Sequence, residues 1–135
     1  MYEIDSRLES LRSTLQFRDD VNLKVESMWI NINHPYSYNS PHVHPNSYIS
    51  GVYYVKAEPF SGHLTLKHPS ILQPIFTPQG LIKEHNECNC SKWSIAPEVG
   101  KLVLFPSWIE HDVSQNLSGE DRISIAFNTT FYDRV

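Results

Sequence analysis

Short runs of β-branched and aromatic residues, each cut off by proline, glycine or a polar cluster, constrain this chain more than any other feature. The densest is residues 48–56, YISGVYYVK, whose composition suits a central strand. Met28, Ile30 and Ile32 alternate with Trp29, Asn31 and Asn33, the period of a half-buried strand. Further strands are expected at His63–Lys67 after Gly62, at Lys101–Phe105 after Gly100, and at Arg122–Thr129 after a turn spanning Ser114–Asp121. Asn33–Asn39 reads as a turn. Residues 68–92 hold Pro69, Pro74, Pro78 and Gly80 with no sustained period, so a long loop or lid-like insertion is expected there. A short edge strand is expected within it at Gly80–Lys83. One helix is predicted over 5–16, opened by a Ser6/Glu9 capping box and striped by Leu8, Leu11 and Leu15. It should pack on a sheet or serve as a peripheral oligomer contact. Many short strands with few helices predict a mainly-β sandwich or jelly roll with a short N-terminal helix.

The 135 residues fit one domain, 1–135, with enough chain for a hydrophobic core. A net charge of −4 without a basic run offers no electrostatic footprint for nucleic acid. No stretch has membrane-spanning length, and Met1–Arg12 lacks a signal-peptide pattern, so a cytoplasmic location is expected. Cys88 and Cys90, separated only by Asn89, are poorly spaced for a mutual disulfide and are expected as thiols. No feature sets an oligomeric state.

The chemistry begins at Ser40-Pro-His42-Val-His44-Pro45. On an extended segment residues i and i+2 share a face, so His42 and His44 can aim two imidazoles at one point. The flanking prolines stiffen the backbone and lower the entropy lost on ordering both rings. Neutral imidazole ligates Fe(II), Zn(II) and other first-row ions. A solvated histidine pair at a strand end is the alternative reading of the same motif. A second region, Phe105-Pro-Ser-Trp-Ile-Glu-His111-Asp-Val113, runs from a strand through a proline-containing turn, and His111 opens the next strand. Eleven residues on stands Arg122, sharing one strand face with Ser124 and Ala126. A guanidinium opening a buried strand needs an anionic partner. That partner is either a ligand carboxylate held bidentately or a surface acid, Asp121 or Glu120.

These three blocks, His42-Val-His44-Pro-Asn-Ser-Tyr-Ile-Ser-Gly-Val-Tyr-Tyr-Val, Phe105-Pro-Ser-Trp-Ile-Glu-His111-Asp-Val and Arg122-Ile-Ser-Ile-Ala-Phe-Asn, resemble in order and spacing the 2-oxoglutarate/Fe(II)-dependent oxygenase superfamily, in a short-chain branch. The resemblance runs over about residues 29 to 130. It implies a double-stranded β-helix and Fe(II) and 2-oxoglutarate as cofactors. It also implies O₂ and an unidentified primary substrate as partners, with decarboxylation of 2-oxoglutarate coupled to substrate oxidation, in most cases hydroxylation. His42 and His111 would be iron ligands, Arg122 would bind the distal carboxylate of 2-oxoglutarate, Ser124 would assist it, and Tyr54 would hydrogen-bond the same carboxylate. Asn31, Tyr36 and Tyr38 fall where relatives place substrate or cosubstrate contacts. Trp108 would either cap the mouth of the site or join the core.

The chain departs from the superfamily at His44, where Asp or Glu is usual. Three neutral imidazoles leave Fe(II) at a formal +2, which the 2-oxoglutarate dianion would neutralise. A site of this kind also resembles cupin-type three-histidine dioxygenases, which use no 2-oxoglutarate. A register with His44 and Asn46 at the metal and His42 outside is a further option, and a non-catalytic metal-binding jelly-roll module is another. His85, Cys88 and Cys90 could supply three zinc ligands, but a structural zinc site usually needs a fourth. An irregular loop with two thiols is the simpler reading. His34, His63 and His68 are expected at turns or surfaces, with His63 the one placed for a supporting role.

Overall fold

The computed structural model describes residues 2–86 and 88–133. One helix, α1 (Tyr2–Thr14), precedes eight strands: β1 (Val21–Asn33), β2 (Asn39–His42), β3 (Ile49–Lys56), β4 (Leu64–Lys67), β5 (Lys92–Ile95), β6 (Leu102–Pro106), β7 (His111–Val113) and β8 (Arg122–Asp133). A single turn of helix, α2 (Gln73–Phe76), lies between β4 and β5. Two four-stranded antiparallel sheets result, ordered β1-β8-β3-β6 and β2-β7-β4-β5. Successive strands alternate between the sheets except for β4 and β5, which pair with each other, and this is the double-stranded β-helix expected from the sequence.

Register in the larger sheet decides which side chains meet the space between the sheets. β1 pairs with β8 along its whole length, with a bulge between Val25 and Ser27. One extra residue reverses which parity faces inward. Before the bulge, Leu23 and Val25 point out of the sandwich toward α1, where Leu23 joins Leu8, Ile49 and Phe127 in the buried core. After it, Trp29, Asn31 and Asn33 point inward, opposite Ala126, Ser124 and Arg122. Met28, Ile30 and Ile32 therefore face outward and are 42%, 66% and 54% exposed. The alternation in this stretch was legible, but its apolar side is the solvent side. The inner face is committed to a polar cavity, and α1 covers only the early part of β1.

Phe127 fills its position only because its cross-strand partner is glycine. A Cβ on Gly51 would lie 2.2 Å from the Phe127 ring. α1 starts earlier than the capping signal implied: Ser6 lies inside the helix, and Glu9 instead takes bidentate bonds from the buried Arg12. The buried stripe is Ile4, Leu8 and Leu11, while Leu15 follows the helix and is exposed. Between β4 and β5 the expected edge strand at Gly80–Lys83 is replaced by a 3₁₀ turn at Gln79–Leu81. The strand forms later, at Lys92–Ile95, where Trp93 and Ile95 lie opposite Leu66 and Leu64 of β4. Pairing with β4 supplies the contacts that local composition does not advertise. Among the described residues no helix is long and apolar enough to cross a membrane.

Candidate metal centre and its cavity

His42 closes β2 and His111 opens β7, and the two are directly opposed in the β2–β7 pair. His44 lies two residues past the end of β2, where its N–H donates to the Ser107 carbonyl at 3.0 Å. This bond, rather than a continuing strand ladder, turns the His44 ring toward the other two. One ring nitrogen from each of His42, His44 and His111 lies within 4.8 Å of the other two, so the group could hold a metal ion. Ring centroids are 4.3 Å apart for His42 and His111, 5.0 Å for His42 and His44, and 5.1 Å for His44 and His111. Asn46 sits in a left-handed turn conformation and is exposed, so the three-imidazole cluster has His42 inside it.

Protonation states suit a cation. Burial, reinforced by the nearby His111 and His42, holds His44 down to about 4. Burial also lowers His111, against the opposing pull of its bond to the Ile109 carbonyl. Both rings are therefore neutral near pH 7, with a lone pair to give. His42 Nδ1 is 2.7 Å from the Ser40 carbonyl and His111 Nδ1 is 2.9 Å from the Ile109 carbonyl. Each of these bonds places the ring proton on Nδ1 and leaves Nε2 unprotonated.

Behind the imidazoles runs a narrow cavity of about 80 Å³, lined among others by Trp29, Asn31, Tyr54, Arg122, Ser124 and the three histidines. It is far smaller than the ~300–1,000 Å³ of enclosed drug-sized sites, so a large primary substrate cannot be swallowed whole. A larger groove of about 680 Å³ lies on the other side of the sheet, beneath α1, lined by Ile4, Leu11, Tyr53, Leu102, Leu104 and Ile125. It holds no cluster of metal-ligating groups, and the chemistry points to the smaller cavity.

Arg122 is 3% exposed at the inner end of that cavity. Its Nη2 donates to Asn33 Oδ1 at 2.7 Å, and its Nη1 donates to the carbonyls of Ser61 and Gly62 at 3.3 and 3.2 Å. Its Nε has no partner. Neither surface acid serves it: Asp121 pairs with His34 at 2.8 Å, and Glu120 with Lys56 at 2.9 Å. No carboxylate among the described residues forms an ion pair with Arg122. Burial lowers its pKa, and burial raises that of Tyr54 beside it. Gly62 is required here: its φ is +93°, and a Cβ would sit 2.3 Å from the Ser114 carbonyl and 3.3 Å from Arg122 Nη1. A buried cation held by neutral acceptors, with an orphaned N–H, is a seat for an anionic ligand.

Of the residues singled out in the sequence, His42, His44, His111, Arg122, Ser124, Tyr54 and Asn31 share this cavity. Tyr36, Tyr38 and Trp108 do not line it and are 73%, 65% and 59% exposed. Tyr36 occupies a turn at φ +69° whose backbone is tied to Asn116 and Gln115. His63 is exposed, and His85, Cys88 and Cys90 form no ligand cluster among the described residues; both thiols are free. Sequence reading missed Asn33, which holds Arg122; Asn39, which lines the cavity and accepts from Asn33 Nδ2 at 2.8 Å; and Asn128, whose carboxamide lies 3.5 Å from His44 Nδ1. The signal for Asn128 was present, because it continues the inner-face series Arg122, Ser124, Ala126 at the strand period.

Residues 27–128 match the profile of a family described as "Putative 2OG-Fe(II) oxygenase". The chain belongs to this family of 2-oxoglutarate- and Fe(II)-dependent oxygenases. Among solved structures it is similar to a 2OG-Fe(II) oxygenase family oxidoreductase from Burkholderia pseudomallei, with a TM-score of 0.67 and 16% identity over 92% of this chain and 52% of that one. It is also similar to a Pseudomonas putida prolyl-4-hydroxylase, with a TM-score of 0.60 and 16% identity over 98% of this chain and 63% of that one. A third is the non-heme α-ketoglutarate-dependent epimerase SnoN of nogalamycin biosynthesis, with a TM-score of 0.65 and 14% identity over 98% of this chain and 57% of that one. At such identities the likeness is one of fold, and this chain spans little more than half the length of these structures. No curated protein matches it.

Proposed function

We propose that this chain binds Fe(II) through His42, His44 and His111 and uses 2-oxoglutarate to oxidise, by hydroxylation, a substrate that approaches from the exposed side of the cavity at His42. The observation that carries the reading is Arg122. It is a buried guanidinium with no carboxylate partner among the described residues and an orphaned Nε, opening on the same cavity as the three imidazoles. Arg122, with Ser124 and Tyr54, holds the distal carboxylate of 2-oxoglutarate, and Asn31 lines the wall beside them. The cosubstrate's dianion balances the formal +2 that three neutral ligands leave on the metal. When bound, the iron and 2-oxoglutarate supply the O₂-dependent oxidation, with decarboxylation of the 2-oxo acid. The protein supplies ligand geometry and a charge seat screened from water.

Two free thiols accord with a reducing, cytoplasmic setting, and the mild acidity gives no purchase to a polyanionic substrate. We treat residues 1–135 as one functional domain.

The test is calorimetric titration of the Fe(II)-loaded protein with 2-oxoglutarate under anaerobic conditions, followed by assay of succinate on admitting O₂. Binding that Arg122→Ala weakens while Fe(II) affinity holds supports the assignment. Unchanged 2-oxoglutarate affinity in Arg122→Ala defeats it. The three-imidazole ligand set favours a second reading, a cupin-like dioxygenase without 2-oxoglutarate, whose signature is O₂ uptake with no succinate.

A further inference from the structure

Two of the three imidazoles have their tautomer set by a backbone carbonyl, as described for His42 and His111. His44 has no such carbonyl bond. Its Nδ1 faces the side-chain carboxamide of Asn128, 3.5 Å from Nδ2. Asn128 Oδ1 is in turn 2.8 Å from Ser50 Oγ, and Ser50 Oγ is 2.8 Å from Ser107 Oγ. Ser50 and Ser107 are 2% and 0% exposed, so water does not compete for this hydroxyl pair. Register builds it, because Ser50 pairs with Asn128 across β3 and β8. Ser107 also accepts the His44 backbone N–H, so one residue anchors both the backbone of His44 and the far end of the chain that reaches its ring.

A carboxamide offers a carbonyl at one end and an NH₂ at the other, and a half-turn about χ2 exchanges them. With NH₂ toward the ring, His44 Nδ1 is an acceptor and the ring proton sits on Nε2, where it blocks ligation. With the carbonyl toward the ring, Nδ1–H donates to Asn128 and Nε2 is free. The NH₂ then donates to Ser50, whose hydroxyl donates to Ser107. In the structure the NH₂ stands toward the ring and Ser50 Oγ donates to Asn128 Oδ1. Because the hydroxyl pair can donate or accept, the half-turn keeps Asn128 and Ser50 bonded while giving the His44 Nδ1–H an acceptor.

Resting on the reading that these imidazoles hold a metal, we propose that Asn128, backed by the Ser50–Ser107 hydroxyl pair, is a positioning residue that turns its carbonyl to the His44 Nδ1–H when Nε2 takes a metal, and so stabilises the ligating tautomer of His44.

The test is titration of the full chain with Co(II), read by calorimetry and by the Co(II) visible spectrum. Nitrogen-15 NMR of the histidine rings in the Zn(II)-loaded protein reports which ring nitrogen carries the proton. Asn128→Leu is expected to weaken Co(II) about 10- to 100-fold, the range for losing a group that orients a ligand, and to remove the His44 Nδ1 proton signal. Asn128→Asp, which can only accept, is expected to restore binding. Ser50→Ala, a single hydroxyl deletion, is expected to weaken Co(II) less and guards against an Asn128→Leu variant that does not fold. Wild-type Co(II) affinity in folded Asn128→Leu, or in Ser50→Ala where the former is unfolded, overturns the role of Asn128 and leaves the metal site standing. Failure of the wild-type chain to bind Co(II) overturns both.

Discussion

The two faces of the β1-β8-β3-β6 sheet are made from alternate residues of the same strands, yet they follow opposite rules. Along β8 the inward residues are Arg122, Ser124, Ala126 and Asn128, and the outward ones are Ile123, Ile125 and Phe127. The inner face holds a cation, hydroxyls and carboxamides whose partners are other side chains and carbonyls. The outer face is held by apolar packing against α1 through Leu8, Leu23, Ile49 and Phe127, and thins to an exposed Met28, Ile30 and Ile32 beyond the helix. Stability is concentrated on one side and chemistry on the other. Substitutions on the two faces should therefore separate into losses of binding and losses of folding.

The largest expected effect is on the inner face. His111→Ala removes the most buried of the three proposed ligands and is expected to reduce metal affinity more than about 100-fold, since even loss of an orienting group costs about 10- to 100-fold. Metal titration and turnover measure it, with the thermal midpoint of the metal-free protein little changed. On the outer face, Leu8→Ala should cost about 2–5 kcal/mol in chemical denaturation, while the folded fraction keeps its metal affinity. A matching loss of affinity there would show that the two faces are not separable.

Arg122→Ala should weaken 2-oxoglutarate about 10- to 100-fold, corresponding to a charge-assisted hydrogen bond of about 1.5–3 kcal/mol, and spare the metal. A pH effect comes next. His44 has a folded pKa near 4, below the 6.5 of an unperturbed ring, so as pH falls the unfolded chain takes up its proton first. Its contribution to stability is complete above about pH 6.5 and is lost as pH falls toward 4. Thermal melts of the metal-free protein across that window should show the loss, and His44→Gln should flatten part of it. The smallest effect is predicted for Ile30→Thr, at a position 66% exposed on the outer face: within about 0.5 kcal/mol. A larger change would mean that this surface is covered in solution.

Legibility differed between these same regions. The inner-face series Arg122, Ser124, Ala126 and the paired imidazoles of His42 and His44 could be read because strand periodicity and motif order are local properties. His111 followed from its place after a proline turn. The Asn33 and Asn39 contacts were not readable, because Asn33 reaches Arg122 across 89 positions of sequence. Nor was the outward turn of Met28, Ile30 and Ile32, which depends on the bulge at Val25/Ser27. The bulge does show as a slip of the apolar series from Leu23 and Val25 to Met28, Ile30 and Ile32, but nothing local says that α1 covers only the first part of that face. Tyr36, Tyr38 and Trp108, adjacent in sequence to the site, lie exposed and outside the cavity lining, a placement set by turns rather than by the motif.

What the amino-acid sequence determined by itself was a chain of short strands, a three-histidine candidate and a lone arginine in strand period with a serine. Local sterics and side-chain alternation are sufficient for these. Tertiary structure decided that the arginine is buried without an acid. Glu120 and Asp121, its neighbours in sequence, are engaged by Lys56 and His34 from elsewhere in the chain. It also decided that His44 is turned into the cluster by Ser107 and faced by Asn128, partners 63 and 84 residues away. Those facts rest on which strands pair and in what register, and pairing is settled by the burial of the whole sheet rather than by any one segment of it.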